Sequence, residues 1–275
     1  MVKANDTAAK VAAFRALHER AGAFVIPNPW DVGSTRILAA LGFAALASTS
    51  AGAAFSAGLQ DGALGRDAIL ANAGAIAAAT DLPVNADLEN GFGDKPQVAA
   101  ETIRMAAQAG LAGGSIEDAD AARQIYAFDH AVERVAAAAE AARAAPSGFV
   151  LTARAENFLY GRLDLDDTIR RLQAFEKVGA DVLYAPGLPD LEAIRTVCAA
   201  VSKPVNILAN VRIPGLSVGV LAELGAKRIS LGGMLSRTIL GSLVRAAHEL
   251  RDHGTFGFAQ DALPIAEINA FMQST

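Results

Sequence analysis

The chain has 275 residues, 52% of them hydrophobic, with 24 lysines and arginines against 29 aspartates and glutamates, a net charge of −5. That balance belongs to an ordinary soluble protein with enough chain for a full core, and it excludes the basic stripe of a nucleic-acid binder. A single cysteine, Cys198, excludes an internal disulfide and a cysteine-rich zinc site, and fits a reducing compartment such as the cytoplasm.

The opening stretch MVKANDTAAKVAAFRALHER reads as a charged amphipathic helix rather than a signal peptide, and no apolar run suits a membrane span. Short apolar runs then alternate with helical stretches. Strands are expected at residues 23–27, 43–48, 83–88, 112–117, 149–154, 181–185, 204–209 and 227–231. In the stretch 166–178, Ile169, Leu172 and Phe175 recur at turn spacing, which leaves Arg170, Arg171 and Lys177 for solvent. Asp164 is placed to cap that helix, with Asp167 near its N-terminal dipole. Gly42, Gly110, Gly179 and Gly225 each fall where a left-handed residue ends a helix before the next strand.

No linker or charge block divides the chain, so residues 1–275 read as one domain, with 254–275 a C-terminal helical extension. Eight strands alternating strictly with helices predict a closed parallel (β/α)8 barrel. The open doubly wound alternative lacks its glycine fingerprint, since the first strand runs into IPNPWDVGS. The apolar stretch Ile265–Met272 either closes the barrel's own base or is offered to a neighbouring subunit.

A parallel barrel carries its active site at the C-terminal ends of its strands. Asp87 and Glu89 stand there two apart on an extended segment, which puts both on one face; Glu117 ends the next strand, and Asp61 lies in the loop STSAGAAFSAGLQDG. Carboxylates converging on one mouth call for a cation, and hard oxygen ligands without Cys or His suit Mg²⁺, or Mn²⁺. Arg154 closes the fifth strand as an anchor for a substrate carboxylate. Ser48, Thr49 and Ser50 offer hydroxyls and N–H groups as an anion cradle. Trp30 is placed to wall the pocket and Asn206 to touch a ligand from the seventh strand. Gly232 and Gly233 fall where some barrels bind phosphate. The four histidines fall in helices or the tail, which leaves no obvious histidine base.

These residues carry a resemblance. NPWDVGS, STSAG, the D-x-E-x-G-F-G of residues 87–93, GGSIED, LTAR, GADVLYAPGL and PVNIL make the chain similar to the isocitrate lyase/phosphoenolpyruvate mutase superfamily, on its phosphonomutase-like side. The resemblance implies a (β/α)8 barrel in homodimers or homotetramers that swap their C-terminal helices. It implies Mg²⁺ on Asp87, with Glu89 and Glu117 acting through bound water, and Asp61 beside the reacting carbon. It implies that Ser48, Thr49 and Ser50 hold the carboxylate of a 2-oxo acid, with Arg154 the substrate arginine.

Departures from the family are equally informative. Lyases of isocitrate and methylisocitrate carry a Lys-Lys/Arg-Cys-Gly-His loop after the fourth strand, and the mutases carry Lys and Asn there; this chain reads DADAARQIYAF. Of that loop only Tyr126 resembles a proton donor. Where the lyases place a glutamate after the sixth strand, this chain has Tyr184-Ala185-Pro186. The expectation is therefore a Mg²⁺-dependent cytoplasmic enzyme that cleaves a C–C bond of a small 2-oxo acid through a pyruvate-type enolate. C–P mutase or hydrolase chemistry, and a non-catalytic 2-oxo dicarboxylate binder, are the alternatives. No nucleic-acid or membrane partner is expected.

Overall fold

The structure, a computed structural model, describes residues 4–273. Eight parallel strands make one sheet: β1 (Phe24–Ile26), β2 (Leu46–Ala47), β3 (Val84–Asp87), β4 (Gly113–Glu117), β5 (Val150–Arg154), β6 (Val182–Tyr184), β7 (Val205–Leu208) and β8 (Arg228–Ser230). Their order is β1-β8-β7-β6-β5-β4-β3-β2. Across the remaining seam the Ala47 N–H donates to the Pro27 carbonyl at 3.0 Å, which brings the sheet nearly to a closed (β/α)8 barrel. All eight expected strands are present with trimmed ends; β2 is the shortest, because only two of its residues pair with β3.

The helices are α1 (Ala4–Glu19), α2 (Val32–Ala40), α3 (Ser50–Ser56), α4 (Arg66–Ala78), α5 (Pro96–Gln108), α6 (Phe128–Ala144), α7 (Leu165–Val178), α8 (Leu191–Ala200), α9 (Val218–Glu223), α10 (Met234–His253) and α11 (Ile265–Met272). Among the described residues no helix is long and apolar enough to cross a membrane. Local chemistry sets their ends. Asp164 accepts from the Asp167 N–H at 2.9 Å as the α7 cap, and Gly179, at φ +112°, ends that helix in the left-handed region.

The base of the barrel is plugged by α1. Val11, Phe14 and Leu17 pack under Phe24, Ile26, Ala45, Ala112, Val150 and Val182. Gly113 makes room for the plug, since a Cβ there would stand 3.0 Å from the Phe14 ring and 2.6 Å from the Val150 carbonyl. His18 is buried beside this plug, and burial pushes its pKa down to about 3, so it stays neutral.

One of the two alternatives for the tail is set aside, and one expectation is corrected. The tail does not close the base, because α1 occupies it; α11 lies along α2 instead, where Arg36 Nη1 donates to the Met272 carbonyl at 2.6 Å. Arg171, expected in solvent, is buried. It bonds Asp167 at 2.7 Å and Asp118 at 3.0 Å, so two carboxylates beneath the β4–α6 loop draw it inward against the helical pattern.

Candidate active site

A cavity of about 230 Å³ opens at the C-terminal ends of the strands. Ser48, Thr49, Ser50, Asp61, Asp87, Glu89, Glu117, Arg154 and Asn206 all line it, so the fold gathers nine of the ten expected site residues. Trp30 is the exception. Its Cβ packs close to Gly52 and its carbonyl accepts from Asn72 Nδ2 at 2.9 Å, so it works behind the β2–α3 turn rather than in the wall.

The acidic loop after β3 reaches the cavity by a turn. β3 ends at Asp87, and Glu89 and Phe92 both have positive φ, +49° and +63°. Simple strand alternation therefore does not account for Glu89. Non-glycine residues held in the left-handed region store strain, which persists where the surroundings over-determine them. Here Arg134 supplies that constraint: buried in α6, it donates to the carbonyls of Asn90, Gly93 and Asp94, while Thr102 Oγ1 donates to the Gly91 carbonyl.

Arg154 is the electrostatic centre. Its Nε donates to Glu156 at 2.6 Å, and Nη1 lies 3.2 Å from Asp87 Oδ1 and 3.0 Å from Glu117 Oε1. Its guanidinium stacks 4.9 Å from the Tyr184 ring centroid. One cation among these acids does not neutralise them. Burial, reinforced by Asp87, Glu117 and Asp61, pushes Glu89 up to about 8. Burial raises Glu117 to about 8 and Glu156 to about 7, against the pull of Arg154.

The residues of the expected anion cradle line the cavity and are also bonded within the protein. Ser48 Oγ accepts from the Asp87 N–H at 3.0 Å, and Ser50 donates its N–H and hydroxyl to Asp87 Oδ2 at 3.1 and 2.9 Å. Thr49 caps α3, accepting from the Gly52 N–H. Ser48 and Ser50 hold Asp87 in place, and Thr49 fixes the start of α3 beside them. Gly232 and Gly233 do line the cavity, and the Leu231 and Gly232 N–H groups already donate to Asn28 Oδ1.

Tyr126 stands outside the cavity, with its hydroxyl 2.6 Å from Asp94 Oδ1. The cavity's phenols are Tyr160, which donates to Glu117 Oε2 at 3.3 Å, and Tyr184. Sequence reading also missed Glu156 and Arg228. Glu156 was within reach, since it stands two residues beyond Arg154. Among the described residues no histidine or cysteine lines the cavity. Cys198 sits in α8, where burial pushes its thiol up to about 11.

The donor set fits a hard divalent cation. Glu89 Oε1 is buried and accepts no hydrogen bond, beside two further carboxylates. Among the described residues no group of three or more aspartate, glutamate, histidine or cysteine side chains is arranged to hold a metal ion by itself. Magnesium is commonly held by one or two carboxylates, with water and substrate oxygens filling the shell.

Barrel and mouth together define a (β/α)8 enzyme with an acidic, oxygen-donor site. The family model of phosphoenolpyruvate phosphomutase matches residues 14–251, and the chain belongs to that family, within the isocitrate lyase/phosphoenolpyruvate mutase superfamily of lyases. A crystal structure of a protein from Burkholderia cenocepacia J2315, described as a lyase or mutase, is 56% identical, covers 98% of this chain and 97% of its own, and superposes with a TM-score of 0.94. The 2-methylisocitrate lyase of Escherichia coli K12 is 30% identical over 72% of this chain and 69% of its own. An oxaloacetate acetylhydrolase solved with its product oxalate is 25% identical, covers 96% of this chain and 94% of its own, and has a TM-score of 0.87.

Proposed function

We propose that this chain is a divalent-metal-dependent lyase that breaks a C–C bond of a small 2-oxo acid through a pyruvate-type enolate. The observation that carries the reading is the juxtaposition, in one cavity, of Arg154 with Asp87, Glu117 and the unpartnered oxygen of Glu89. Asp87 would hold Mg²⁺ or Mn²⁺ directly, with Glu89 and Glu117 reaching it through water. When bound, the ion supplies Lewis-acid polarisation of the oxo group.

The chain's own residues supply the rest. Ser48 and Ser50 fix the Asp87 carboxylate, so its orientation is paid for before substrate arrives. Arg154 offsets the negative charge that the acids and an enolate bring together. Burial and Glu117 keep the Tyr160 hydroxyl protonated, its pKa raised well above the usual phenol range, so it holds its proton beside the cavity. Asp61 at the rim, 3.6 Å from Arg123, is the residue nearest the reacting carbon in this reading. C–C cleavage is favoured over C–P chemistry because two of the N–H groups after β8, those of Leu231 and Gly232, are already bonded to Asn28.

A panel of C3 to C6 2-oxo acids with Mg²⁺ tests this. Product formed from at least one of them and lost with a chelator supports the reading. Thermal stabilisation without product would make the chain a binder, and product from phosphonopyruvate alone would make it a C–P enzyme. Isocitrate and methylisocitrate should not be cleaved, since no cavity residue is a cysteine, histidine or lysine placed to protonate the departing carbanion. Cys198→Ser should leave activity unchanged. Turnover of either tricarboxylate near 1 s⁻¹, roughly the low end of enzyme rates, would overturn that expectation.

The reading includes an oligomer. α10 is 20 residues long, yet Ser236 is its one buried residue, and Ile239, Leu240, Leu243 and Val244 form an exposed apolar stripe. Where alternation calls for a helix over β8, α10 leaves its own barrel. Docking on a second copy, by exchange of C-terminal helices, covers such a stripe and yields a homodimer or homotetramer. Leu243→Asp should shift the light-scattering mass to that of a monomer; an unchanged mass would contradict the exchange.

A further inference from the structure

Cleavage of a 2-oxo acid has a step that no residue named so far performs. When the C–C bond breaks, its electron pair passes into a pyruvate-type enolate, whose carbon must then take a proton to become product. Such an enolate stays held by its oxygens, so the carbon needs only a fixed O–H or N–H donor beside it. The loop after β4 offers none, because Tyr126 stands outside the cavity and is bonded to Asp94.

The β5–α7 loop carries a donor. After Arg154 the chain folds into a tight turn: the Tyr160 N–H donates to the Glu156 carbonyl at 3.0 Å, the Arg162 N–H donates to the Asn157 carbonyl at 2.8 Å, and Gly161 takes φ +81°. Buried Asn157 anchors the turn by donating to Asp167 at 2.9 Å. The turn also packs closely on Gly187, where a Cβ would stand 3.0 Å from the Leu159 nitrogen. This fixed backbone presents Tyr160, half-buried, to the cavity, with its hydroxyl donating to Glu117 Oε2 at 3.3 Å. The other Glu117 oxygen lies 3.0 Å from Arg154 Nη1, which also faces Asp87. The phenol therefore stands one carboxylate away from the groups that hold the oxo acid. The Arg123 guanidinium lies 5.9 Å from its ring centroid and 3.6 Å from Asp61. Other hydroxyls of the cavity are engaged: Ser48 and Ser50 with Asp87, and Tyr184, stacked on Arg154, with Ser230.

We propose that Tyr160 is a catalytic residue, the general acid that delivers the proton to the enolate carbon. This rests on the 2-oxo acid reading above and adds the step that reading lacks. The C–C bond breaks and its pair enters the enolate; a C–H bond then forms at that carbon as the Tyr160 O–H bond breaks. The phenolate regains a proton from water at the open mouth. An enolate carbon is a stronger base than a phenolate, so the transfer runs downhill. The Arg123 cation beside the ring offsets the charge that the oxygen carries in between. Run backwards, the same step removes a proton from the methyl group of pyruvate.

Proton exchange isolates this step. Pyruvate with Mg²⁺ in heavy water is followed by the loss of its methyl proton signal. Calorimetry gives the affinity for oxalate with Mg²⁺, an anion shaped like the enolate but with no carbon that takes a proton. The wild-type chain should exchange pyruvate well above the rate without protein. Tyr160→Phe should slow exchange by about 100-fold or more, the usual contribution of a general acid or base, while oxalate affinity stays within about twofold. Tyr160→Gln, equally without an acidic O–H, decides the matter if the phenylalanine variant does not fold. Exchange that survives in these variants, or a loss of oxalate affinity as large as the loss of exchange, would overturn the assignment. So would a wild type that forms product from a 2-oxo acid yet exchanges no pyruvate. A wild type that neither binds oxalate nor forms product from any C3 to C6 acid overturns the 2-oxo acid reading itself, and this inference falls with it.

Discussion

Arg154→Lys should weaken 2-oxo acid binding by roughly 2–5 kcal/mol, the usual cost of breaking a buried, hydrogen-bonded charge pair. The sequence suggests a guanidinium fork aimed at the substrate. The structure instead shows Nε and Nη1 spread over Glu156, Asp87 and Glu117, with the plane stacked on Tyr184. A lysine ammonium is a point charge and cannot reach three carboxylates from one stem. The acids it released would face one another and the incoming carboxylate.

The same residue sets a pH dependence in the metal-free protein. Glu117 and Glu156 keep their protons to about 8 and about 7 in the folded chain, above their ordinary range near 4.5. Unfolding therefore releases protons, and these two groups take stability away as pH rises from about 5 toward 8. Arg154→Met removes the cation that restrains both shifts, so its stability should fall more steeply over that window than the wild type's. Denaturation midpoints at pH 5.5 and 8, with calorimetry on the lysine variant, check both statements. Wild-type oxo-acid affinity in Arg154→Lys would reduce the arginine to a general neutralising charge.

The barrel was readable because each strand is a short apolar run and each helix end carries its own punctuation. Gly42, Gly110, Gly179 and Gly225 all take positive φ where helices give way to strands. Side-chain partnership was harder, because it depends on residues far apart in the chain. Arg171 satisfies every local rule for a solvent position, and its bond to Asp118, 53 residues away, cannot be read from its own helix. Tyr126 and Tyr160 are equally plausible donors by type, and the hairpin-like pairing of Ala119 with Ile125 decides which one faces away. Ser50 reads as a ligand group from its own segment, and its bonds to Asp87 could not be read there because Asp87 belongs to another strand. Arg228 gave no signal at all, since a charged residue at the start of a strand ordinarily faces solvent.

Asp87→Ala should lower Mg²⁺ affinity beyond about 100-fold, and Glu89→Gln should lower it by about 10–100-fold, the range typical of residues that act on a metal through its bound partners. Asp87 is the best-held acid in the cavity. Its backbone N–H is fixed by Ser48, one carboxylate oxygen takes two hydrogen bonds from Ser50, and the other faces Arg154. This preorganisation means that a ligand there loses little freedom on binding. Glu89 has the opposite character: its backbone is in the left-handed region and its Oε1 accepts no hydrogen bond. Asp87→Asn separates charge from shape, because an amide oxygen can still accept from Ser50, and it should fail nearly as badly as alanine. Calorimetric titration of Mg²⁺ in the presence of oxalate gives the three affinities, with circular dichroism to confirm that each variant is folded. If Asp87→Ala binds Mg²⁺ as the wild type does, the metal does not sit on Asp87, and the site must be rebuilt around Glu89 and Glu117.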